Sequence, residues 1–290
     1  MSFSYAEFTT RNIGFVTPDQ QDRLRKGRLF IAGVGGMGGA AFASLVRAGV
    51  GHIGIADIDH FEISNLNRQV AATLETVGVS KVAATVDMAQ RINPEIELQT
   101  FGAEWTSLLD TITQTYSIII NGTDDTRATV ALYRAAKHAG ATVIDAYAAS
   151  LPSVYLVRPN AQRPEERLAY PTVGCPPEDI TDEMVQTCVR KELEYVLTHS
   201  SSRKYVDLDI AAEFAAGKRS RFSFAPMVIT TGNLMAYEAL ALLLDQTTKT
   251  DDRGYFFNPY TGRTERPLPW PAAVLMGQLV RRFLGRMLAT

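Results

Sequence analysis

Short apolar runs alternate with helix-like segments through the first half of the chain. Five of these runs have the length and apolarity of strands buried on both faces of a sheet: residues 28–34, 53–56, 97–101, 117–121 and 142–147. Residues 153–158 alternate as a further strand, of the kind that ends such sheets antiparallel. This order predicts an α/β fold, a doubly wound, mostly parallel, Rossmann-like sheet with antiparallel edge strands.

The pattern changes after residue 159. The elements predicted beyond it are an irregular crossing segment over 160–177, helices over 180–199, 208–216, 228–244 and 272–288, and a strand over 254–258. The last helix places Leu275, Leu279, Phe283 and Met287 on one face, which we expect to pack on the body or on a dimer mate. We divide the chain into an N-terminal arm (1–27), a Rossmann-like part (28–159), a crossing loop with a helical insertion (160–222), and a C-terminal part that completes the same domain (223–290).

The first strand runs into the glycine-rich loop Gly33-Val34-Gly35-Gly36-Met37-Gly38. Its glycines let the backbone turn sharply and approach a ligand. A helix predicted over 39–50 begins at the loop, and its N-terminal amides favour an anion. The second strand delivers Asp57 about twenty residues after the loop, where a ribose-binding acid is expected. Together these features predict a nucleotide site.

Further polar motifs follow the loop in a fixed order. They are Asp57-x-Asp59, Ser64-Asn65-Leu66-x-Arg68-Gln69, Lys81, Asn93-Pro94, Asn121-Gly122-Thr123-Asp124-Asp125 and Ala225-Pro226-Met227. With the loop, this set resembles the ubiquitin-activating-type adenylyltransferases, the family of the ThiF, MoeB and HesA proteins, over residues 11–244. Bacterial members of that family activate small sulfur-carrier proteins for molybdopterin and thiamine synthesis.

The resemblance implies an enzyme that uses ATP and Mg²⁺ to turn a carboxylate into an acyl-adenylate, with release of pyrophosphate. The carboxylate would be the C-terminus of a ubiquitin-like sulfur-carrier protein or a short peptide, covered by the helical insertion. The implied ATP-binding residues are Gly33, Gly35, Gly36, Gly38, Asp57, Asp59, Asn65, Asn67, Arg68, Lys81, Thr123, Asp124 and Asp125. The implied catalytic residues are Arg68, Lys81, Asp124, which would also hold Mg²⁺, and Arg11.

Arg11 matches a family arginine that reaches the ATP of the dimer mate, so the resemblance also implies a homodimer. Taken alone, Arg68 and Lys81 are also compatible with solvated surface cations. Asp124 and Asp125 also precede a helix predicted over 126–139, where they would serve as N-cap and first-turn acids.

The chain departs from the family pattern in its cysteines and its second acid. Many members bind zinc through two Cys-x-x-Cys pairs, but this chain has only Cys175 and Cys188, so we expect no zinc. Asp125 stands where an asparagine is usual, and the following arginine is displaced to Arg127. Both cysteines are candidate nucleophiles: Cys175 lies in a predicted loop, and Cys188 lies near Arg190 and Lys191, which we expect to lower its pKa. An inert thiol is the alternative for each.

Composition narrows the functional class. The net charge is −2 and no long basic run occurs, so a nucleic-acid surface is not indicated. No apolar stretch reaches the length of a membrane span, and the first residues do not form a signal peptide. We therefore expect a cytoplasmic protein without a membrane partner.

Three other interpretations stay open. One is activation of a small-molecule or tRNA-borne carboxylate for cyclisation. Another is an NAD-dependent oxidoreductase, which the glycine loop and Asp57 permit but which leaves Arg68, Lys81 and Asp124 without a role. The last is a non-catalytic binding scaffold, which the altered Asp125 keeps open.

Overall fold

The computed structural model describes residues 2–215, 218–219 and 222–287. Its strands are β1 (Arg28–Ala32), β2 (His52–Ala56), β3 (Glu97–Phe101), β4 (Ile118–Asn121), β5 (Thr142–Asp145), β6 (Ser153–Val157), β7 (Tyr255–Asn258) and β8 (Arg263–Glu265). Its α-helices are α1 (Tyr5–Phe8), α2 (Pro18–Lys26), α3 (Gly36–Arg47), α4 (Lys81–Ile92), α5 (Leu109–Thr115), α6 (Thr126–Ala139), α7 (Pro164–Arg167), α8 (Asp182–His199), α9 (Leu208–Ala215), α10 (Ala225–Leu243) and α11 (Trp270–Met287). Short 3₁₀ turns occur at Thr10–Asn12, Ile63–Asn65, Ala103–Leu108, Pro177–Asp179 and Ser202–Lys204. Two predicted helix ends, Ala216 and Leu288, lie outside the described residues.

In the described part of the chain the strands form one sheet of eight, in the order β3-β2-β1-β4-β5-β6-β7-β8. Strands β1 to β5 run parallel, and β6 to β8 continue the sheet antiparallel. The predicted fold class is confirmed. Because β1 lies between β2 and β4, the loops that follow these three strands meet at the carboxyl edge of the sheet, where open α/β sheets bind ligands.

The glycine loop is packed backbone to backbone against the loop that follows β4. Gly33 has a φ of +85°, and a Cβ added there would lie 2.7 Å from the carbonyl carbon of Gly122. A Cβ on Gly38 would lie 1.9 Å from the carbonyl oxygen of Gly33. These glycines therefore let the start of α3 lie directly against the sheet.

This packing explains why α3 begins at Gly36 rather than at the predicted residue 39. Glycine is a poor helix former, so the sequence pattern leaves the loop glycines up to Gly38 outside the helix. In the fold, close packing sets the helix start instead of helix propensity. The backbone approaches so closely here that a Cβ on Gly39 would lie 2.7 Å from the carbonyl oxygen of Val34. Helix α10 also begins three residues before its predicted start, whereas the predicted boundaries of β3 and α6 coincide with the observed ones.

Helices cover both faces of the sheet, and the buried strand residues alternate between them. One face packs Phe30, Ile119 and Tyr155 against residues of α5, α6 and α8. The opposite face packs Ile31 and Ile120, with their neighbours, against α3 and α10. The parallel strands are buried on both sides, as their continuous apolar runs predict.

The crossing segment after β6 is held to α6 by an ion pair whose carboxylate is buried. Arg134 donates to both carboxylate oxygens of Glu165 at 3.1 and 2.9 Å, and Glu165 is only 3% exposed. The same guanidinium donates to the carbonyl oxygens of Thr172 and Cys175, each at 2.7 Å. Thr172 also donates to Glu165, so five hydrogen bonds in all hold this irregular segment in place.

The last helix does not pack as its apolar stripe predicts. Helix α11 faces the body through Val280, which is 6% exposed, whereas Leu275 and Leu279 are 64% and 52% exposed. The prediction that this stripe packs on the body is wrong for Leu275 and Leu279, while packing on a dimer mate stays a prediction. The Met287 side chain lies outside what the structure describes. Among the described helices, none combines the length and apolarity needed to cross a bilayer.

We expect Gly38→Ala to destabilise the fold and Gly277→Ala, a matched helical glycine, to stabilise it. The added methyl group at position 38 meets the Gly33 carbonyl oxygen, so unfolding free energy should fall by about 2 kcal/mol or more. At position 277 the nearest atoms lie 3.5 to 4.0 Å away, and alanine should gain about 0.5–1 kcal/mol from helix propensity. Urea unfolding of both variants tests this. Equal stability of Gly38→Ala and wild type would contradict the packing described.

We expect His199 to weaken the fold as the pH falls. Burial, with Arg253 and Arg167 nearby, lowers its pKa to about 4, and its Nδ1 accepts a hydrogen bond from the Leu268 amide at 3.1 Å. The histidine has a pKa of about 6.5 in the unfolded chain, so below that pH the unfolded chain binds a proton at His199 while the folded chain keeps the imidazole neutral. Stability should therefore fall from about pH 6.5 toward about pH 4, by at most about 1.4 kcal/mol per pH unit.

The measurement is urea unfolding of wild type and His199→Asn at several pH values, because asparagine retains an acceptor near the Nδ1 position. As the pH falls, the unfolding free energy of wild type should decrease more than that of His199→Asn. Subtracting the unfolding free energy of the variant from that of wild type cancels the contributions of other titrating groups. One of these is Asp145, whose buried carboxyl has its pKa raised to about 6 and which therefore stabilises the fold as the pH falls. A difference that does not change with pH would show that His199 is not held neutral.

Candidate functional site

The predicted site residues gather where β1, β2 and β4 end. The strands are adjacent, and hydrogen bonds continue beyond them: the Gly33 amide donates to the Ala56 carbonyl oxygen at 2.7 Å, and the Gly122 amide donates to Ala32 at 2.6 Å. The N-terminus of the twelve-residue helix α3 opens here without a side-chain cap. Uncapped backbone amides at such a helix start favour a phosphate or carboxylate.

Asp57 joins the end of β2 to the glycine loop. Its Oδ2 accepts from the Val34 amide at 2.9 Å, and its Oδ1 accepts from the Asp59 amide at 3.0 Å. Burial raises the pKa of this carboxyl, and the Asp59 amide and the Lys81 charge oppose that shift. Each carboxylate oxygen keeps a second lone pair, so Asp57 retains the capacity to accept from a ribose hydroxyl.

Lys81 is a buried cation rather than a solvated one. It is the first residue of α4 and is 8% exposed, and its Nζ lies 2.8 Å from Oδ2 of Asp59. Its own amide also donates to the Asp59 carbonyl oxygen at 2.9 Å. Asp59 therefore fixes the position of Lys81, while the ammonium group has two further N–H donors for a ligand.

The segment between these acids and α4 holds the other predicted phosphate contacts. Asn65 is buried and its Oδ1 accepts from the Glu62 amide at 3.2 Å, which closes the turn. Nη1 of Arg68 donates to the Ser64 carbonyl oxygen at 3.0 Å and to Oδ1 of Asn67 at 2.8 Å. Asn67 in turn donates to the Ser223 carbonyl oxygen at 3.0 Å, just before α10. The predicted ATP contacts of Asn65, Asn67 and Arg68 stay predictions.

The two acids after β4 have different surroundings. Asp125 is the N-cap of α6 and accepts from the amides of Arg127 and Ala128 at 2.8 and 3.2 Å. Asp124 is exposed, and its side chain makes no hydrogen bond to any residue that the structure describes. Thr123 accepts from the Asp125 amide at 3.2 Å. The cap position thus belongs to Asp125, which leaves the Asp124 carboxylate available.

The Asp124 carboxylate fits the coordination chemistry of Mg²⁺. The described residues contain no group of three or more His, Cys, Asp or Glu side chains arranged for a metal. Magnesium commonly takes one or two carboxylates and completes its shell with water and substrate phosphates. An exposed acid beside a helix start that favours phosphate meets that requirement, so Asp124 would hold the ion together with a bound nucleotide.

Arg127 points away from this site. Its Nε donates to the Ile180 carbonyl oxygen at 2.9 Å, and its Nη2 lies 2.7 Å from Oδ1 of Asp182. The displaced arginine therefore joins the start of α8 to α6.

Arg11 lies at the opposite edge of the sheet from the site of its own chain. The neighbouring Asn12 donates to the carbonyl oxygen of Ala48 at 3.3 Å, directly after the end of α3. Since α3 starts at the glycine loop and has twelve residues, about 18 Å of helix separates the two positions. Arg11 is exposed, so its predicted contact with ATP requires a second copy of the chain.

The two cysteines differ in accessibility. Cys188 is 2% exposed, and burial raises the pKa of its thiol to about 11. The prediction that neighbouring cations lower this pKa is wrong, because burial outweighs the effect of Lys191. Cys175 is partly exposed, in the turn that Arg134 holds. Whether either cysteine acts as a nucleophile stays a prediction.

Two buried polar features at this edge had no role assigned from the sequence. Asp145, at the end of β5, accepts from Asn121 at 2.9 Å and from Tyr133 at 2.6 Å, which ties the end of β4 to its neighbour. Gln69 is 7% exposed and lies beside Gly35. Gln69 belongs to the motif quoted above, but a buried side chain cannot be recognised from the motif alone.

The comparisons with known proteins agree with this geometry. The sequence profile of the ThiF family matches residues 9–272. The chain is 33% identical over 163 residues to the adenylyltransferase and sulfurtransferase MOCS3 of Culex quinquefasciatus, a match that covers 56% of this chain and 37% of that protein. It is 34% identical over 112 residues to the sulfur carrier protein adenylyltransferase of Thermus thermophilus, with 38% and 41% covered. Both matches span well under half of the relative's length.

The fold also resembles that of a solved structure. E. coli MccB, crystallised with ATP, superposes with a TM-score of 0.64 at 16% identity, over 90% of this chain and 70% of that chain. At this identity the likeness concerns the fold alone. Because the family profile covers most of the chain, the chain belongs to the ThiF family.

Proposed function

We propose that this protein is an ATP-dependent adenylyltransferase that activates a carboxylate as an acyl-adenylate. The observation that carries the proposal is the convergence of three features at the ends of adjacent strands. They are an uncapped helix start at the glycine loop, a buried lysine positioned by Asp59, and the available carboxylate of Asp124. An oxidoreductase that binds NAD has no use for the lysine and the second acid.

In the proposed reaction a carboxylate oxygen of the substrate attacks the α-phosphorus of ATP. The bond from that phosphorus to the oxygen bridging the α- and β-phosphates breaks, and pyrophosphate leaves with that oxygen. Charge builds up on phosphate oxygens, so catalysis is mainly positioning and electrostatic stabilisation. Lys81 and Arg68 would supply positive charge, and Asp57 would hold the ribose. Mg²⁺ held by Asp124 would neutralise phosphate charge.

The proposed substrate is the C-terminus of a ubiquitin-like sulfur-carrier protein or a short peptide. One relative is named a sulfur carrier protein adenylyltransferase, and it is 34% identical to this chain over 112 residues. A polypeptide tail also suits the crossing segment, which Arg134 holds against α6, and the start of α8, which Arg127 holds. Activation of a smaller carboxylate for cyclisation would use the same nucleotide chemistry and differs only in the acceptor.

We further propose that the enzyme works as a homodimer in which Arg11 enters the site of the partner. The position of Arg11 supports this, since its own site lies at the other end of α3. A two-fold dimer would place each arginine at the other chain's nucleotide, where it would add positive charge to the phosphates.

In calorimetric titrations of the wild-type protein, we expect MgATP to bind and NAD to give no binding heat. Asp124→Ala should weaken MgATP binding at least about tenfold while leaving binding of ATP in EDTA nearly unchanged, because Asp124 acts through the metal. Asp87→Ala is the control: it removes an exposed carboxylate that pairs with Arg91 on α4, and it should retain wild-type MgATP affinity. Binding of NAD in place of MgATP would refute the proposed function.

We expect an equimolar mixture of Arg11→Ala and Asp124→Ala to regain tight MgATP sites that each variant lacks alone. If subunits exchange, about half of the dimers are mixed, and each mixed dimer has one intact site of two. About a quarter of the sites should therefore recover, as counted by calorimetry. Sedimentation of each variant checks that dimers form. No recovery in a mixture that does exchange subunits would show that Arg11 does not act on the partner's site.

A further inference from the structure

Helix α11 exposes large apolar side chains along most of its length. The exposed ones are Trp270, Val274, Leu275, Leu279 and Phe283. Single exposed apolar residues are normal on a protein surface, but a contiguous set of them marks a surface that binds something. The match to the family profile ends at residue 272, so nearly all of α11 lies beyond it. This surface is therefore a feature of the chain itself and not of the family profile.

The five side chains surround the outward side of the helix. At about 100° per residue they cover an arc of about 220°, from Trp270 on one flank to Phe283 on the other. The rest of the circumference holds Gly277 and Val280, which are buried where α11 packs on α8. A partner helix covers a stripe of about 100°. A broad apolar medium therefore fits this arc better than a second helix does.

The charged residues of α11 are all basic. The helix contains no Asp or Glu. Arg281 pairs with Glu194 of α8 at 2.5 Å, whereas no ion pair joins Arg282 to a residue that the structure describes. Arg282 lies within the apolar arc, so its stem can lie among apolar side chains while its guanidinium reaches an anion. Pairing of α11 with a second copy of itself would bring only like charges together, so the charge favours an anionic partner.

We propose that α11 docks the protein on a membrane surface that contains anionic phospholipids. Its Trp, Leu and Phe side chains would enter the boundary between head groups and acyl chains, and Arg282 would bind a lipid phosphate. Such a helix lies in the plane of the surface, so it does not need the length and apolarity of a spanning helix. The expectation of a protein without a membrane partner rests on the lack of a spanning segment, and this mode of binding requires none. The inference goes beyond the proposed adenylyltransferase function and does not depend on it.

The test measures binding of the full chain to vesicles by flotation. Vesicles of POPC with about 30% POPS should bind the protein at least about fivefold more tightly than vesicles of POPC alone, and added salt should reduce the difference. Tryptophan fluorescence gives a second readout, because the chain has two tryptophans and Trp105 is buried. Emission from Trp270, which is 78% exposed, should move to shorter wavelength when the vesicles bind.

Two variants separate the apolar contribution from the charge. Leu275→Ser combined with Leu279→Ser should weaken binding to the POPS vesicles about tenfold or more, because two apolar side chains no longer leave water. Arg282→Glu should weaken binding to the POPS vesicles about tenfold and leave binding to POPC unchanged, because it acts through the lipid charge. Phe15→Ser is the matched control: Phe15 is 95% exposed in the N-terminal arm, and its variant should bind as wild type does.

Failure of the wild type to bind POPS vesicles would overturn the proposal, and so would wild-type binding by both α11 variants. All three substitutions are at exposed positions, so an unchanged Tm checks that the variants are folded. If sedimentation shows that the double leucine variant loses a dimer that the wild type forms, and neither binds vesicles, a second copy covers the apolar arc instead. MgATP binding is measured separately, and its absence would refute only the proposed function.

Discussion

The site depends on a contact between two stretches of backbone. The loop after β1 and the loop after β4 approach so closely that neither Gly33 nor Gly122 has room for a side chain, and Gly38 rests on the Gly33 carbonyl. Because the contact involves main chain only, it fixes the start of α3 relative to the end of β4. The helix amides and the acids that follow β4 therefore face the same volume. A longer side chain at any of these positions would separate the two halves.

The acids around this contact divide their tasks. Asp57 binds two backbone amides, Asp59 binds Lys81, and Asp125 caps α6. These contacts occupy part of the hydrogen-bonding capacity of each carboxylate, and they fix the geometry of the site before a ligand binds. Asp124 makes no such contact with the described residues, which makes it the acid best suited to a metal ion. Preorganisation of this kind lets binding energy stabilise the reacting charge instead of ordering the site.

The structural features that can be predicted from the sequence are those that a local residue pattern determines. Continuous apolar runs indicate buried parallel strands, and the acids before residue 126 mark the start of α6 at its observed position. Features decided by neighbours distant in sequence are not predictable in this way. Examples are the early start of α3, the raised pKa of Cys188 and the outward face of Leu279 on α11. The motif predicts Lys81 as a phosphate contact, but only the fold shows that Lys81 is buried against Asp59.

Helix α6 connects the nucleotide half of the site to the segment proposed to cover the substrate. Its N-cap Asp125 follows Asp124 directly. On the same helix, Arg134 holds the crossing segment and Arg127 holds the start of α8. Glu165 is buried and also lies 3.3 Å from Nη1 of Arg163, so two arginines compensate its charge. The cover is therefore positioned relative to Asp124 by one rigid element. Under the proposed function, substrates of different shape would be accommodated by changes in the crossing segment rather than in the loops that follow β1, β2 and β4.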